Sequence, residues 1–426
     1  MEQYIEEIYN YFLDKTYTDK TLNKINEAVI NDHFNYEMYK ASYDSKNYSL
    51  GKVIKTNSEY YKIYSMARKL IDEYIKKADN PCLNMDLTLT TEELYNNYED
   101  DYAKYYIFRL CIEDIYDEYY LPCNDSMIIE SRKLLNYFKS INHKKIITGQ
   151  HTQTVAQEEL SHIKQITGFY PKLVGYELLA CSLNINPESD KECLEEVEDN
   201  KGTLQTALYD NKNILTFTWH MFSPLYGCGK TFYQKNTTFD IRKILDGEET
   251  EEYMAFVNEL DHMAGLLKHF LEAKKPVLFR PFHEADGDWF WWGSKGVEYA
   301  CELYKFTYNY FVCEKGLNNL IWVWNSIGAY PGDEYVDIIS IDCYGEAKDS
   351  KTCYIDKYDE LVEKVSSDKL VALAECDVIP DIDELKDNLF PFIYYMTWSK
   401  EFCLTEKYNS NEKLKEFYKN KDVIKQ

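Results

Sequence analysis

From about Ser126 onward, short runs of apolar, β-branched and aromatic residues alternate with longer stretches of helical periodicity. The runs are KIITGQ (145–150), KLVGYELL (172–179), NILTFTWH (213–220), VLFRPFHE (277–284), LIWVWN (320–325), VDIISIDCYG (336–345), LVALAE (370–375) and FIYYMTW (392–398). None alternates strictly between apolar and polar positions, which is the pattern of strands covered on both faces. Parallel strands need crossover connections of about a dozen residues or more, and most of the gaps supply that length. The eight units from Lys145 to Trp398 span 254 residues, close to the roughly 250 of a closed barrel. The pattern therefore predicts an α/β chain whose residues 126–426 form a (β/α)8 TIM barrel. A doubly wound open sheet competes, but no GxGxxG or phosphate loop follows any of the runs.

The first 125 residues carry a different pattern. Tyr60, Ile63, Ala67, Leu70 and Tyr74 recur at helical spacing behind a capping box from Thr56 to Glu59, and Asn80–Pro81 closes the segment. A second capping box, Thr90 to Glu93, opens a helical stretch that reaches about Tyr116. A helical N-terminal lobe, 1–125, is expected as an extension of the barrel. Composition sharpens the division: 20 of 40 tyrosines precede residue 121, and all seven tryptophans lie at Trp219 or beyond. At helical spacings the tyrosines read as core more readily than as ligand-stacking surface.

Charge narrows the partners. With 48 basic against 73 acidic residues the net charge is -25, which opposes nucleic-acid backbones and anionic membrane surfaces. The opening MEQYIEEIYNYFLDK is acidic and lacks a basic start before an apolar core, and no window approaches 18 consecutive apolar residues. Twelve cysteines are scattered from Cys82 to Cys403 with no CxxC pair, so they read as mostly free thiols. Together these features predict a cytoplasmic protein, or a secreted one if a signal peptide has been removed.

The active site of such a barrel is built at the C-terminal ends of its strands. In order, those ends present Gln150 and His151, Trp219 and His220, His283 and Glu284, Trp324 and Asn325, Asp342 and Tyr344, Glu375, and Trp398. Aromatic planes combined with scattered hydrogen-bonding groups suit the apolar faces and hydroxyl rims of sugars. Glu284 and Glu375 are the acidic strand-end residues best placed for chemistry. Taken singly each would read as an ordinary loop acid; as a pair they match the two carboxyls that glycoside hydrolysis commonly needs. Arg280, four residues before Glu284 in an apolar strand, requires a carboxylate partner because a lone buried guanidinium is costly. Arg280 is expected to hold Glu375 ionised, while indole around Glu284 keeps that carboxyl protonated. The HE of HEADG is no zinc-protease motif, since the second histidine of HExxH would fall at Gly287. The Asp286–Asp288 DGD lacks the further ligands of a calcium loop and predicts a turn. No metal and no organic cofactor is expected.

The stretch RPFHEADGDWFWWG (280–293) closely resembles the signature of glycoside hydrolase family 26, a family dominated by β-mannanases of the large retaining (β/α)8 clan. SRKLLNYFKSINHKKIITGQH (131–151), FTWHMFSP (217–224), IWVWN (321–325), VDIISIDCY (336–344) and ALAE (372–375) are similar to that family's successive blocks, in order, so the resemblance covers about 126–400. It implies that Glu284 is the acid/base and Glu375 the nucleophile. It also implies that His220, Arg280, His283, Trp289, Tyr344 and Trp398 line the sugar subsite beside the cleaved bond. Two features depart from the family: Tyr176 and Glu177 follow Gly175 where a shorter acidic pattern is expected, and the helical lobe is not a usual sugar-binding module. The implied activity is retaining cleavage of β-1,4-mannan or mannooligosaccharides, with short imported oligomers favoured for a cytoplasmic enzyme. The alternatives are a β-1,3-1,4-glucanase or β-1,3-xylanase on the same scaffold, and a non-catalytic carbohydrate-binding protein.

Overall fold

Each of the eight apolar runs falls on one strand in the computed structural model, β1 and β7 extending one or two residues past their runs: β1 Ile146–Thr152, β2 Leu173–Glu177, β3 Ile214–Trp219, β4 Val277–Pro281, β5 Leu320–Asn325, β6 Ile338–Cys343, β7 Leu370–Cys376 and β8 Tyr394–Thr397. The structure describes residues 122–426 other than 125, 187, 346–352 and 366–368, and before them residue 65 alone. The helices expected around 56–80 and 90–116, and the 1–125 lobe apart from residues 65 and 122–124, lie outside the described residues. A compact unit runs from Pro122 to Gln426.

Strands β1 to β8 pair in sequence order, all parallel, and β1 also pairs with β8 and with β2, so the sheet closes on itself. This is a (β/α)8 TIM barrel. A short ninth strand, β9 Val423–Ile424, adds parallel to the outer end of β1. Nearly every strand residue is buried, because the helical layer covers one face and the barrel interior the other; this is why the runs lack alternation. The interior is tight where β1, β2 and β8 meet. A Cβ at Gly175 would lie 2.4 Å from the Met396 Sδ, so glycine permits the close approach there.

The covering helices show how the outer layer is made. Helix α1, Glu251–Glu272, begins at Thr250, whose side chain accepts a hydrogen bond from the Tyr253 N–H, and Glu251 and Glu252 occupy its positive first turn. Its buried residues Phe256, Leu260, Met263, Leu267 and Phe270 recur every three or four positions, the stripe a helix needs to sit on a sheet. Helix α2, Val297–Asn309, buries Tyr304 against Trp322 and Trp324 of β5, with ring centroids 5.5 and 5.0 Å apart. Among the described residues no helix is long and apolar enough to cross a membrane, and nine cysteines are free thiols.

One irregularity bears on the mouth of the barrel. Between β6 and β7 the register slips: Ile341 pairs with Leu373, but Asp342 pairs with Glu375. The extra residue, Ala374, is a bulge, a device that re-aims the side chains beyond it. Asp342 and Glu375 are thereby set opposite one another.

Candidate active site

Strand β4 carries Arg280 in the barrel interior, fully buried. One of its terminal nitrogens, Nη1, donates to Asp342 Oδ2 at 2.7 Å; the other, Nη2, donates to Thr218 Oγ1 at 2.9 Å and to Glu375 Oε1. The Tyr344 hydroxyl donates to the second Glu375 oxygen, Oε2, at 2.6 Å. Both oxygens of Glu375 thus accept hydrogen bonds, one from Arg280 on β4 and one from Tyr344 just past β6. Burial opposes the charge on Arg280, but the adjoining carboxylates of Asp342 and Glu375 outweigh it and hold the guanidinium charged. Asp342 is pushed above the usual carboxylate range, by burial first and then by the negative charges of Glu375 and Glu284, against the pull of Arg280.

After Pro281 the chain leaves β4 through two left-handed residues, Phe282 (φ 53°) and Glu284 (φ 52°). Residues other than glycine rarely adopt this conformation, and where they do the surroundings hold them there. Here the holder is Asn325 at the end of β5. Its side-chain oxygen accepts the Glu284 N–H at 2.7 Å, while its Nδ2 donates to Asp342 Oδ1 at 2.9 Å and Ser340 Oγ at 3.1 Å. Among the described residues the Glu284 side chain accepts one hydrogen bond, from Trp289 Nε1 at 2.8 Å. Its carboxyl is pushed above the ordinary range, by burial first and next by the charge of Glu375, with the Trp289 N–H pulling the other way. A cavity of about 220 Å³ adjoins it, lined by Glu284, Trp289, Asn325, Ile327, Asp342 and Lys357 among others.

The three tryptophans that follow Glu284 divide their labour. Trp289 is 47% exposed and lies over the turn. A Cβ at Gly287 would fall 2.3 Å from that indole, so the glycine makes room for it. Trp291 and Trp292 are buried and donate to the Met221 and His283 carbonyls, both at 2.8 Å, fastening the loop to the ends of β3 and β4. The DGD is a turn, as expected: Asp286 accepts from the N–H groups of Ile327 and Gly328 at 2.8 and 2.6 Å and ties the β4 loop to the β5 loop. No group of three or more potential metal ligands converges among the described residues.

Two strand-end aromatics do not face the mouth. Trp219 is fully buried and donates to Ser182 Oγ, and Trp324 is fully buried against Tyr304. Alternation along a strand sends them into the helical layer while their neighbours His220 and Asn325 reach the site. Trp398, half-buried, sits where β8 meets β1. Its ring stacks on His151 at 3.7 Å between centroids and 13° between planes, and Gln150 Nε2 donates to its carbonyl at 2.9 Å.

The two remaining candidates meet each other. His220 Nε2 lies 3.1 Å from His283 Nε2, and His220 Nδ1 lies 2.7 Å from Glu177 Oε2. Burial alone would favour a neutral His220, but the charge of Glu177 and the hydrogen bond to it prevail and raise its pKa. For His283 burial prevails, helped by the positive charge of His220 and Arg280, and the ring is held well below the usual histidine range.

The candidates thus gather into an Arg280–Tyr344–Glu375 set, a Glu284–Trp289 pair and a His220–His283 pair, with Trp398 edge-on to His220 at 6.0 Å. Asp342 and Asn325 appear in the strand-end survey without a role, and Glu177 only as a departure from the family pattern. A buried arginine between two acidic strand ends can serve both, and that is the signal by which the sequence could have pointed to Asp342.

A family model for glycosyl hydrolase family 26 matches residues 123–426. The chain belongs to that family. Among family 26 relatives, the mannan endo-1,4-beta-mannosidase of Thermothelomyces thermophilus is 33% identical over 316 residues, and the mannan endo-1,4-beta-mannosidase B of a Piromyces species is 32% identical over 310. Each match covers 71% of this chain, which spans 61% and 52% of the lengths of those two proteins. The crystal structure of a beta-mannanase from a symbiotic protist of the termite Reticulitermes speratus, complexed with gluco-manno-oligosaccharide, shares 28% identity at a TM-score of 0.62, covering 71% of this chain and 96% of that one.

Proposed function

We propose that this chain is a retaining glycoside hydrolase that cleaves β-1,4-mannan or mannooligosaccharides through two glutamates. The observation that carries the reading is the unequal surroundings of two carboxyls at one barrel mouth. Glu375 accepts hydrogen bonds from Arg280 and Tyr344, whereas Glu284 is raised by burial and by the charge of Glu375. Two carboxyls whose environments differ in this way divide into a base and an acid.

In the proposed reaction Glu375 attacks the anomeric carbon as Glu284 gives its proton to the departing glycosidic oxygen, leaving a glycosyl ester on Glu375. Glu284, now ionised, then takes a proton from water as the water attacks the same carbon, and Glu375 leaves as a carboxylate. Arg280 and Tyr344 hold Glu375 in line. Trp289 orients Glu284 and presents an indole face to the sugar, and His220, His283 and Trp398 line the subsite of the reacting sugar. No step requires a metal or an organic cofactor. The choice of mannan rests on the names of the relatives, which are mannan endo-1,4-beta-mannosidases.

Two experiments test this. Labelled mannotetraose and cellotetraose, incubated in parallel, separate the reading from a glucanase: mannotetraose is cleaved and cellotetraose is not. Replacing the nucleophile, Glu375→Ala, lowers hydrolysis by roughly ten thousandfold or more, and azide partly restores turnover as an α-mannosyl azide. Sugar binding without any product from the wild-type protein contradicts catalysis altogether.

A further inference from the structure

We propose that Glu177 is a positioning residue of this site: its buried carboxylate fixes a proton on His220 Nδ1 and keeps that ring an imidazolium, whose second proton is shared with His283. The inference deepens the sugar-cleaving reading and rests on it for the role of the mouth.

Glu177 ends β2 and is 1% exposed. Its Oε1 accepts the N–H groups of Leu179 and His220 at 2.9 and 2.8 Å, and its Oε2 lies 2.7 Å from His220 Nδ1. A carboxylate only accepts hydrogen bonds, so the Nδ1 contact requires a proton on that nitrogen. Three donors from two segments leave the carboxylate no freedom to turn. A buried carboxylate also needs a counter-charge, and among the described residues the cation within ion-pair distance of Glu177 is His220. The pair has the form in which an acidic partner on one imidazole nitrogen sets the orientation and proton of the ring.

Two other acids act on His220 in the same direction. Besides Glu177 on β2, Glu375 on β7 and Glu196 on the helix Lys191–Asn200 favour its charged form. The rings of Phe232, Phe290 and Trp398 stand 5.1 to 6.0 Å away and bring no charge. The opposing groups are His283 at the end of β4 and His151 on β1, both held neutral by burial and by the charges of His220 and Arg280. A neutral His283 then offers its Nε2 lone pair across the 3.1 Å contact and carries its own proton on Nδ1, a buried nitrogen with no hydrogen-bond partner among the described residues. The site thus holds, beside Arg280, a second fixed cation whose charged form Glu375 favours. The departure at Tyr176–Glu177, which has no evident purpose in the sequence, supplies that cation's counter-charge.

The test is imidazole ¹⁵N NMR of the full chain with labelled histidine, the His220 signal being identified by its loss in His220→Asn. In the wild type His220 carries protons on both nitrogens at pH 7 and titrates above the ordinary value of about 6.5. In Glu177→Gln its midpoint falls below that value, and kcat on mannotetraose drops about tenfold with KM little changed. A neutral His220 in the wild type at pH 7 overturns the proposal, and so does a Glu177→Gln midpoint that does not move. If Glu177→Gln does not fold, the wild-type titration decides alone. The titration is read without substrate, so a chain that cleaves no mannan defeats the hydrolase reading and leaves this measurement intact.

Discussion

The two sides of the barrel mouth hold the same residue type in opposite manners. On the β6–β7 side, Glu375 is fixed from two directions and shares Arg280 with Asp342, an arrangement set up by the bulge at Ala374. On the β4–β5 side, Glu284 stands on a strained left-handed turn beside a cavity, with one side-chain hydrogen bond, from Trp289. On the proposed reading, this difference divides two chemical roles between identical carboxyls. One is immobilised by donors and charge; the other is left desolvated and beside a negative neighbour, where holding a proton is the cheaper state.

The comparison is broken most severely by removing Arg280. Arg280→Met leaves Glu375 and Asp342 facing each other across a buried gap without the guanidinium that bridges them, and loss of one partner of a buried pair costs about 3–5 kcal/mol. Thermal unfolding at pH 7 should show that loss, and Asp342→Asn added to Arg280→Met should recover part of it. Next comes the proposed acid. Glu284→Gln should lower kcat on mannotetraose by about 10² to 10⁴-fold and remove the basic limb of the pH profile. An aryl mannobioside with an easily departing phenolate should form its glycosyl ester with little loss.

A smaller effect sharpens the contrast. Trp289→Phe deletes the N–H that favours the ionised form of Glu284, so the carboxyl pKa rises further. The sign follows directly: a proton bound more tightly is lost at higher pH, and the basic limb of kcat/KM moves alkaline. A limb that stays in place or moves acidic contradicts the role given to this hydrogen bond. The smallest effect expected is from Gly287→Ala. The added Cβ displaces the indole it would touch, with a stability cost of about 1–3 kcal/mol and an increased KM for mannotetraose.

Much of this is legible in the sequence. The eight runs located the strands because a barrel strand, buried on both sides, writes a continuous apolar segment that loops and helices do not. Arg280 within such a run announced a carboxylate partner, because a buried guanidinium has few other stable solutions. Facing direction was less legible. His220 and Trp219 are adjacent, and the choice of which one enters the mouth depends on strand register, which a one-residue slip reverses. The bulge at Ala374 is a slip of this kind, and without it the pairing of Asp342 with Glu375 has no sequence trace. The Glu177–His220 contact joins residues 43 apart on neighbouring strands and depends on the same register. The expected helical lobe carries no comparable check, because almost all of it lies outside the described residues.

The most direct test of the central claim is capture of the glycosyl ester. Incubated with a 2-deoxy-2-fluoro-β-mannosyl fluoride, the protein should gain the mass of one fluorosugar, and peptide mapping should place it on Glu375. A ¹H NMR time course on a β-mannoside should show the β-anomer as the first product. An unlabelled protein together with an α-anomer as first product contradicts the account.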